Sequence, residues 1–208
     1  MIQELAQTSW LEISAALLAI AYLVLAMREN VLCWYAAFFS SGLYCYIFLS
    51  VQLHMESALQ IFYIGMAVYG WLNWKGILLS NDEQLRISVL PWQKHLVAVL
   101  VIILLTITSG YALDSGGENL AYLDAFTTWS AMLATILVAK KILENWIYWI
   151  IIDSVSIYLY LDRGLLLTAI LFATYIIIAG MGFVHWYREF RREKNEWVFK
   201  QHECKSLR

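Results

Sequence analysis

Seven apolar runs, each close to the length a helix needs to cross a bilayer, leave this chain few ways to fold. They lie at about 9–27, 31–50, 56–74, 96–113, 122–139, 145–161 and 165–187. A hydrocarbon core about 30 Å thick is crossed by roughly 20 helical residues. Inside it every backbone N–H and C=O must be bonded within its own segment, so such runs become helices. The polar stretches left over are short. With 62% hydrophobic residues, one proline (Pro91) and a mean hydropathy of +0.64, the expected class is an all-α integral membrane protein with seven transmembrane helices. One membrane domain then spans residues 1–208, with 188–208 as a tail too short for a second domain.

Positive charge is distributed unevenly between the connections. Of fourteen Lys and Arg residues, thirteen follow odd-numbered runs: Arg28; Lys75, Arg86 and Lys94; Lys140 and Lys141; and seven between Arg188 and Arg208. Only Arg163 follows an even-numbered run. The positive-inside rule therefore puts the N-terminus outside and the C-terminus in the cytoplasm, which requires an odd number of spans. On this topology 114–118 is an outer loop, 75–94 is a polar cytoplasmic loop, and the tail is a solvated helix with Trp197 and Phe199 as interfacial anchors. No cleavable signal is expected, because no Lys or Arg precedes the first run.

The chain also reads as duplicated. Glu29-Asn30-x-x-x-Trp34 matches Glu144-Asn145-x-x-x-Trp149 at a spacing of 115, and Ser41 matches Ser156 at the same spacing. Gly70-x-x-x-Trp74 matches Gly182-x-x-x-Trp186 after a three-residue length difference. Runs 1–3 (9–74) and 5–7 (122–187) are then two three-helix copies, and run 4 (96–113) is a linker that restores the starting direction. Parallel repeats of this kind occur in transporters that hold substrate near midplane between the halves.

Run 6 carries Trp146-x-x-Trp149-x-x-x-Asp153, which places two indoles and a carboxylate within about 60° on one helix face. Asp153 stands eight residues past Asn145, about 12 Å into the membrane. An acidic side chain at that depth costs about 2.5–3.5 kcal/mol on insertion scales and usually faces a pathway or a partner. Aromatic faces beside a carboxylate suit an organic cation. The plainer reading makes Asp153 a protonated acid bonding two helices and Trp146 an interfacial anchor. Gln60 and Tyr63 in run 3, and Thr127 and Trp129 in run 5, complete the candidate substrate contacts. Small hydroxyls at helix contacts are, however, commonly packing groups. Glu29 and Glu144 at helix ends are accounted for by the helix dipole.

Little points to an enzyme. The four histidines (His54, His95, His185, His202) show neither metal-ligand nor nucleophile–base spacing, and no phosphate loop is present. Cys33, Cys45 and Cys204 form no C-x-x-C pair and read as small apolar residues. No catalytic residue, metal or cofactor is expected, and no basic patch suggests nucleic acid. Transport would be passive or ion-coupled.

These motifs together resemble the PnuC family of bacterial vitamin transporters. The resemblance rests on Lys140-Lys141 before Glu144-Asn145-Trp146-x-x-Trp149-x-x-x-Asp153, on Leu59-Gln60-Ile-Phe followed by Tyr69-Gly70-Trp71-x-x-Trp74, and on Asp124-Ala125-Phe126. It covers nearly the whole chain. It implies a 3+1+3 fold like a duplicated SWEET-type triple-helix bundle, a homotrimer, and a place in the bacterial inner membrane. It also implies facilitated diffusion of nicotinamide riboside with retention by a cytoplasmic kinase. By the same resemblance Trp146, Trp149 and Asp153 line the substrate site with Gln60 nearby. Thiamine, also cationic and carried within the family, is the alternative substrate. A membrane sensor or partner subunit is the alternative from another class.

Overall fold

The computed structural model describes residues 10–50, 52, 54–78, 85–113, 119–162 and 164–206. They form seven helices: α1 (Trp10–Met27), α2 (Cys33–Ser50), α3 (His54–Trp74), α4 (Trp92–Leu113), α5 (Asn119–Ala139), α6 (Asn145–Asp162) and α7 (Leu166–Ser206). Each expected run falls on one of them. The expected outer loop 114–118, Arg163 and the side chains of Trp197 and Phe199 lie outside the described residues.

Four helices are long and apolar enough to cross a membrane by length and composition: Trp10–Met27 in α1, Trp92–Ala112 in α4, Ala121–Ala139 in α5 and Thr168–Glu196 in α7. The other three, α2, α3 and α6, dilute their aliphatic residues with Trp, Tyr, Ser and amide side chains. Bury those polar atoms between helices and a lower hydropathy is tolerated. Past the apolar stretch α7 continues unbroken into the charged tail, where Glu189 and Glu196 flank Arg192 at 2.8 and 3.9 Å.

Helix ends are made by one recurring device. After α1, α3, α5 and α6 a residue takes a left-handed conformation: Glu29 (φ 54°), Gly76 (φ 76°), Lys141 (φ 50°) and Gly164 (φ 72°). The next N–H then reaches back five residues, as Asn30 N to Leu25 O at 3.0 Å and Ile142 N to Leu137 O at 2.9 Å. These are Schellman-type ends, which satisfy carbonyls that the helix itself leaves open. Asn30 then starts α2 by accepting the Leu32 N–H on its side-chain oxygen at 2.9 Å.

The chain divides into two compact units, the first taking in residues up to Leu85 with Val138–Lys140, the second the remainder. In the first, α2 packs on both α1 and α3. Its centre is Trp34, 2% exposed, with Tyr22 tilted against it at 6.0 Å and Trp74 edge-on at 5.4 Å and 87°. Gly70 is where α3 makes room, since a Cβ there would strike the Trp34 ring. Asn73 Nδ2 and Trp74 Nε1 donate to the last carbonyls of this unit, those of Ala139 (2.8 Å) and Val138 (3.2 Å).

The second unit repeats that arrangement with different residues. Trp146 on α6 is 1% exposed and meets Trp186 edge-on at 5.5 Å and 89°, and a Cβ on Gly182 would lie 2.8 Å from its ring. Trp34, Gly70 and Trp74 therefore answer to Trp146, Gly182 and Trp186 at one spacing of 112. The left-handed turn residues 29 and 141 keep the same spacing, as do the helix starts Cys33 and Asn145. The residue that plays the part of Trp34 is Trp146 rather than Trp149, and no length difference is needed. Gly182→Ala should cost about 1–3 kcal/mol by overpacking. Gly70→Ala should cost at least as much, and thermal melts of the two purified variants test this.

Candidate functional site

α6 packs on α7, meets α5 through Ile152 against Ala131 and Ala134, and buries Asn145, Trp146, Ile152, Asp153, Ser156 and Leu159. The 3.6-residue period puts these on one arc, with Trp149 in its middle. Two of the expected site residues face different neighbours. Trp146 is shut into the α6–α7 contact by Gly182 and Trp186. Trp149 is half-buried and packs, with Tyr148, on the cluster of Ala131, Ala134 and Ile152, which brings in α5.

Asp153 lies one turn beyond Trp149 and is 3% exposed. Among the described residues it has neither a hydrogen bond nor an ion pair. A buried carboxylate is ordinarily paired, because taking it out of water without compensation costs several kcal/mol. The same unit also holds buried side-chain atoms without a hydrogen-bond partner: Thr106 Oγ1, Ser130 Oγ, Asn145 Oδ1 and Trp146 Nε1. Ser130 is not among the residues expected from sequence.

The remaining candidates have their polar groups committed or lie in the first unit. Thr127 Oγ1 donates to Asp124 O within its own helix at 3.0 Å. Trp129 Nε1 donates to Ser109 Oγ on α4 at 3.0 Å, so its indole holds α4 to α5. Gln60 and Tyr63 are half-buried on α3 in the first unit, with the Tyr63 ring edge-on to Phe62 at 5.6 Å. A groove of about 420 Å3 between α1 and α2, lined by Ile13, Leu17, Tyr44, Phe48 and Glu12, contains none of the expected site residues.

At the spacing of 112, Asp153 answers to Ser41 and Trp149 to Ala37. The carboxylate and the half-buried indole thus belong to one unit only. Glu144 also departs from the helix-dipole expectation. Its carbonyl takes the Ile147 and Tyr148 N–H groups, but its carboxylate is turned away to Leu90 and His95.

Four helices of membrane length, beside a helix that buries a line of aromatic and polar residues, define a multi-pass α-helical membrane protein. More particularly, the chain belongs to the nicotinamide mononucleotide transporter family, whose model matches residues 9–188. It is similar to the nicotinamide riboside transporter PnuC of Escherichia coli (strain K12), with 25% identity over 203 residues, 86% of this chain and 85% of that protein. The Haemophilus influenzae protein of the same name is 21% identical over 188 residues, 88% of this chain and 82% of its own. The crystal structure of the vitamin B3 transporter PnuC has a similar fold, with a TM-score of 0.69 at 22% identity. That match covers 88% of this chain and 83% of the other. The chain is a transporter and not an enzyme.

Proposed function

We propose that this protein carries nicotinamide riboside across the membrane by facilitated diffusion, with Asp153 and Trp149 as its principal substrate contacts. The observation that carries this is the buried Asp153 carboxylate with no protein partner among the described residues. A pyridinium cation supplies the missing charge, an indole face adds cation–π attraction, and ribose hydroxyls can donate to the carboxylate oxygens. Trp146 serves as the packing residue that fixes α6 on α7, and Gln60, Tyr63, Thr127 and Trp129 are supporting positions.

The substrate choice draws on the names of the relatives, which are riboside transporters. Chemistry separates the riboside from its phosphate ester as well. A phosphate dianion beside an ionised Asp153 meets like-charge repulsion, which costs several kcal/mol in a desolvated site. Thiamine stands behind, since charge alone suits it equally but the relatives named above are nicotinamide riboside transporters.

The constant spacing of 112 supports a 3+1+3 architecture with α4 as linker, within one membrane domain. Lys and Arg placement supports an inner-membrane topology with the N-terminus outside and a cytoplasmic C-terminal tail. Trapping by a cytoplasmic kinase and assembly as a homotrimer complete the proposal.

Proteoliposomes containing only the purified chain test it. Labelled nicotinamide riboside should enter without ATP, saturably, and nicotinamide mononucleotide should compete at least tenfold more weakly. Thiamine uptake in place of the riboside would shift the substrate, and no uptake of either would favour a sensor or partner subunit. Trp149→Ala should raise the Kd for nicotinamide riboside by about 5–30-fold, the equivalent of about 1–2 kcal/mol of cation–π stacking. Calorimetry on detergent-solubilised protein checks it, and an unchanged Kd would assign Trp149 to packing on α5.

A further inference from the structure

We propose that His95 is a positioning residue of the transport site, acting through Tyr148 and Glu144 on the helix that carries Trp149 and Asp153. The inference rests on the reading above that α6 presents the substrate contacts. It starts from a short extended segment. Ser88 N donates to Lys141 O at 3.0 Å and Ser88 O accepts from Leu143 N at 2.9 Å, a parallel bridge laid along the turn before α6. Ile87, Ile142 and Leu143 are buried around it. Two residues on, the Leu90 N–H is shared by both oxygens of Glu144, each at 3.3 Å.

α4 begins immediately after Pro91, which brings His95 round on its first turn, where its N–H reaches the Pro91 carbonyl at 3.3 Å. The imidazole then faces Tyr148 in the first turn of α6 and Glu144, the residue just before that helix. Its Nδ1 lies 2.9 Å from the Tyr148 hydroxyl, with the two rings nearly parallel at 17° and 5.9 Å. Its Nε2 lies 3.6 Å from Glu144 Oε1. Both ring nitrogens thus face a side chain, Tyr148 at Nδ1 and Glu144 at Nε2, and the Glu144 carboxylate serves the extended segment and the histidine together.

The consequence reaches the site by direct neighbours. Tyr148 and Trp149 share the cluster of Ala131, Ala134 and Ile152, so the azimuth of Tyr148 sets how the Trp149 ring rests on α5. Asp153 follows one turn later on the same rigid helix. Without His95 the Tyr148 hydroxyl loses its hydrogen bond, and the first turn of α6 loses its contact with α4. None of the three residues is a substrate contact.

The test uses the full chain in proteoliposomes with nicotinamide riboside as probe. His95→Leu and Tyr148→Phe should each raise the KM for uptake about five- to tenfold while the maximal rate per inserted protein stays within twofold. The double variant should be no worse than either single one, because both cut the same link. His95→Gln, which keeps a polar group at ring-nitrogen reach, should recover most of the affinity. A KM unchanged in both single variants, or effects that multiply in the double, would overturn the proposal. Should His95→Leu fail to insert, Tyr148→Phe removes one oxygen and carries the comparison by itself. Amide exchange over residues 145–152 supplies a measure free of substrate. It should quicken about tenfold in both variants, and unchanged protection would overturn positioning. If the wild-type protein takes up no nicotinamide riboside, the substrate reading falls, and the exchange measurement still decides the role of His95.

Discussion

Asp153→Ala should lower saturable nicotinamide riboside uptake by at least thirtyfold while the protein remains inserted and folded. Truncating one member of a buried, hydrogen-bonded charge pair typically costs about 2–5 kcal/mol of binding, and here the other member is the substrate. The same change should leave the thermal midpoint of the substrate-free protein as high as wild type, or raise it. Asp153 has no partner among the described residues, so its removal forfeits no protein–protein bond and relieves a desolvated polar group. Function and stability therefore move in opposite directions, as is common where a binding group is held at a cost. Paired uptake and melting measurements check this. Loss of uptake together with a large loss of stability would instead make Asp153 a structural link between helices.

Trp146→Ala should behave in the opposite way. The ring is 1% exposed and shut between Gly182 and Trp186, and deleting a buried tryptophan costs about 3–5 kcal/mol through lost contacts and the cavity left behind. A sharply lower melting midpoint and poor recovery of monodisperse protein are expected. Trp146→Phe, which keeps a ring in the contact, should fold and bind nicotinamide riboside within about twofold of wild type. Trp34→Ala in the first unit should match Trp146→Ala in severity, because its enclosure by Gly70 and Trp74 has the same form. If Trp146→Phe instead loses affinity with its stability intact, the indole belongs to the substrate site.

The two tryptophans of α6 are equivalent by helical period alone. Trp146 and Trp149 are three residues apart, which on a helix is 300° of rotation, so both project within about 60° of one direction. A Trp-x-x-Trp motif can therefore be matched to Trp34 through either ring without violating periodicity. Aligning Glu29-Asn30 with Glu144-Asn145 pairs Trp34 with Trp149 at a spacing of 115. Only the opposing helix separates the choices: Gly182 leaves room over Trp146 as Gly70 does over Trp34. Trp129 and Thr127 were candidates for a related reason. Indole and hydroxyl groups near a polar face look available until Ser109 and the Asp124 carbonyl are seen to take their hydrogen bonds. His95 left no trace at all, being separated from Glu144 and Tyr148 by some fifty residues of unrelated sequence.

What the amino-acid sequence by itself determined was everything that depends on local composition and period. This comprises the seven helices, the apolar stretches long enough to cross a bilayer, and the single line of aromatic and acidic residues along α6. Those properties are set within a turn or two of helix, where propensity and solvent transfer act residue by residue. The tertiary structure alone decided which side chains on that line are consumed by packing and which are left without a partner. That division depends on what neighbouring helices offer, a glycine over Trp146 and, among the described residues, no donor for Asp153. Contacts between helices distant in sequence leave no periodic signal in either one.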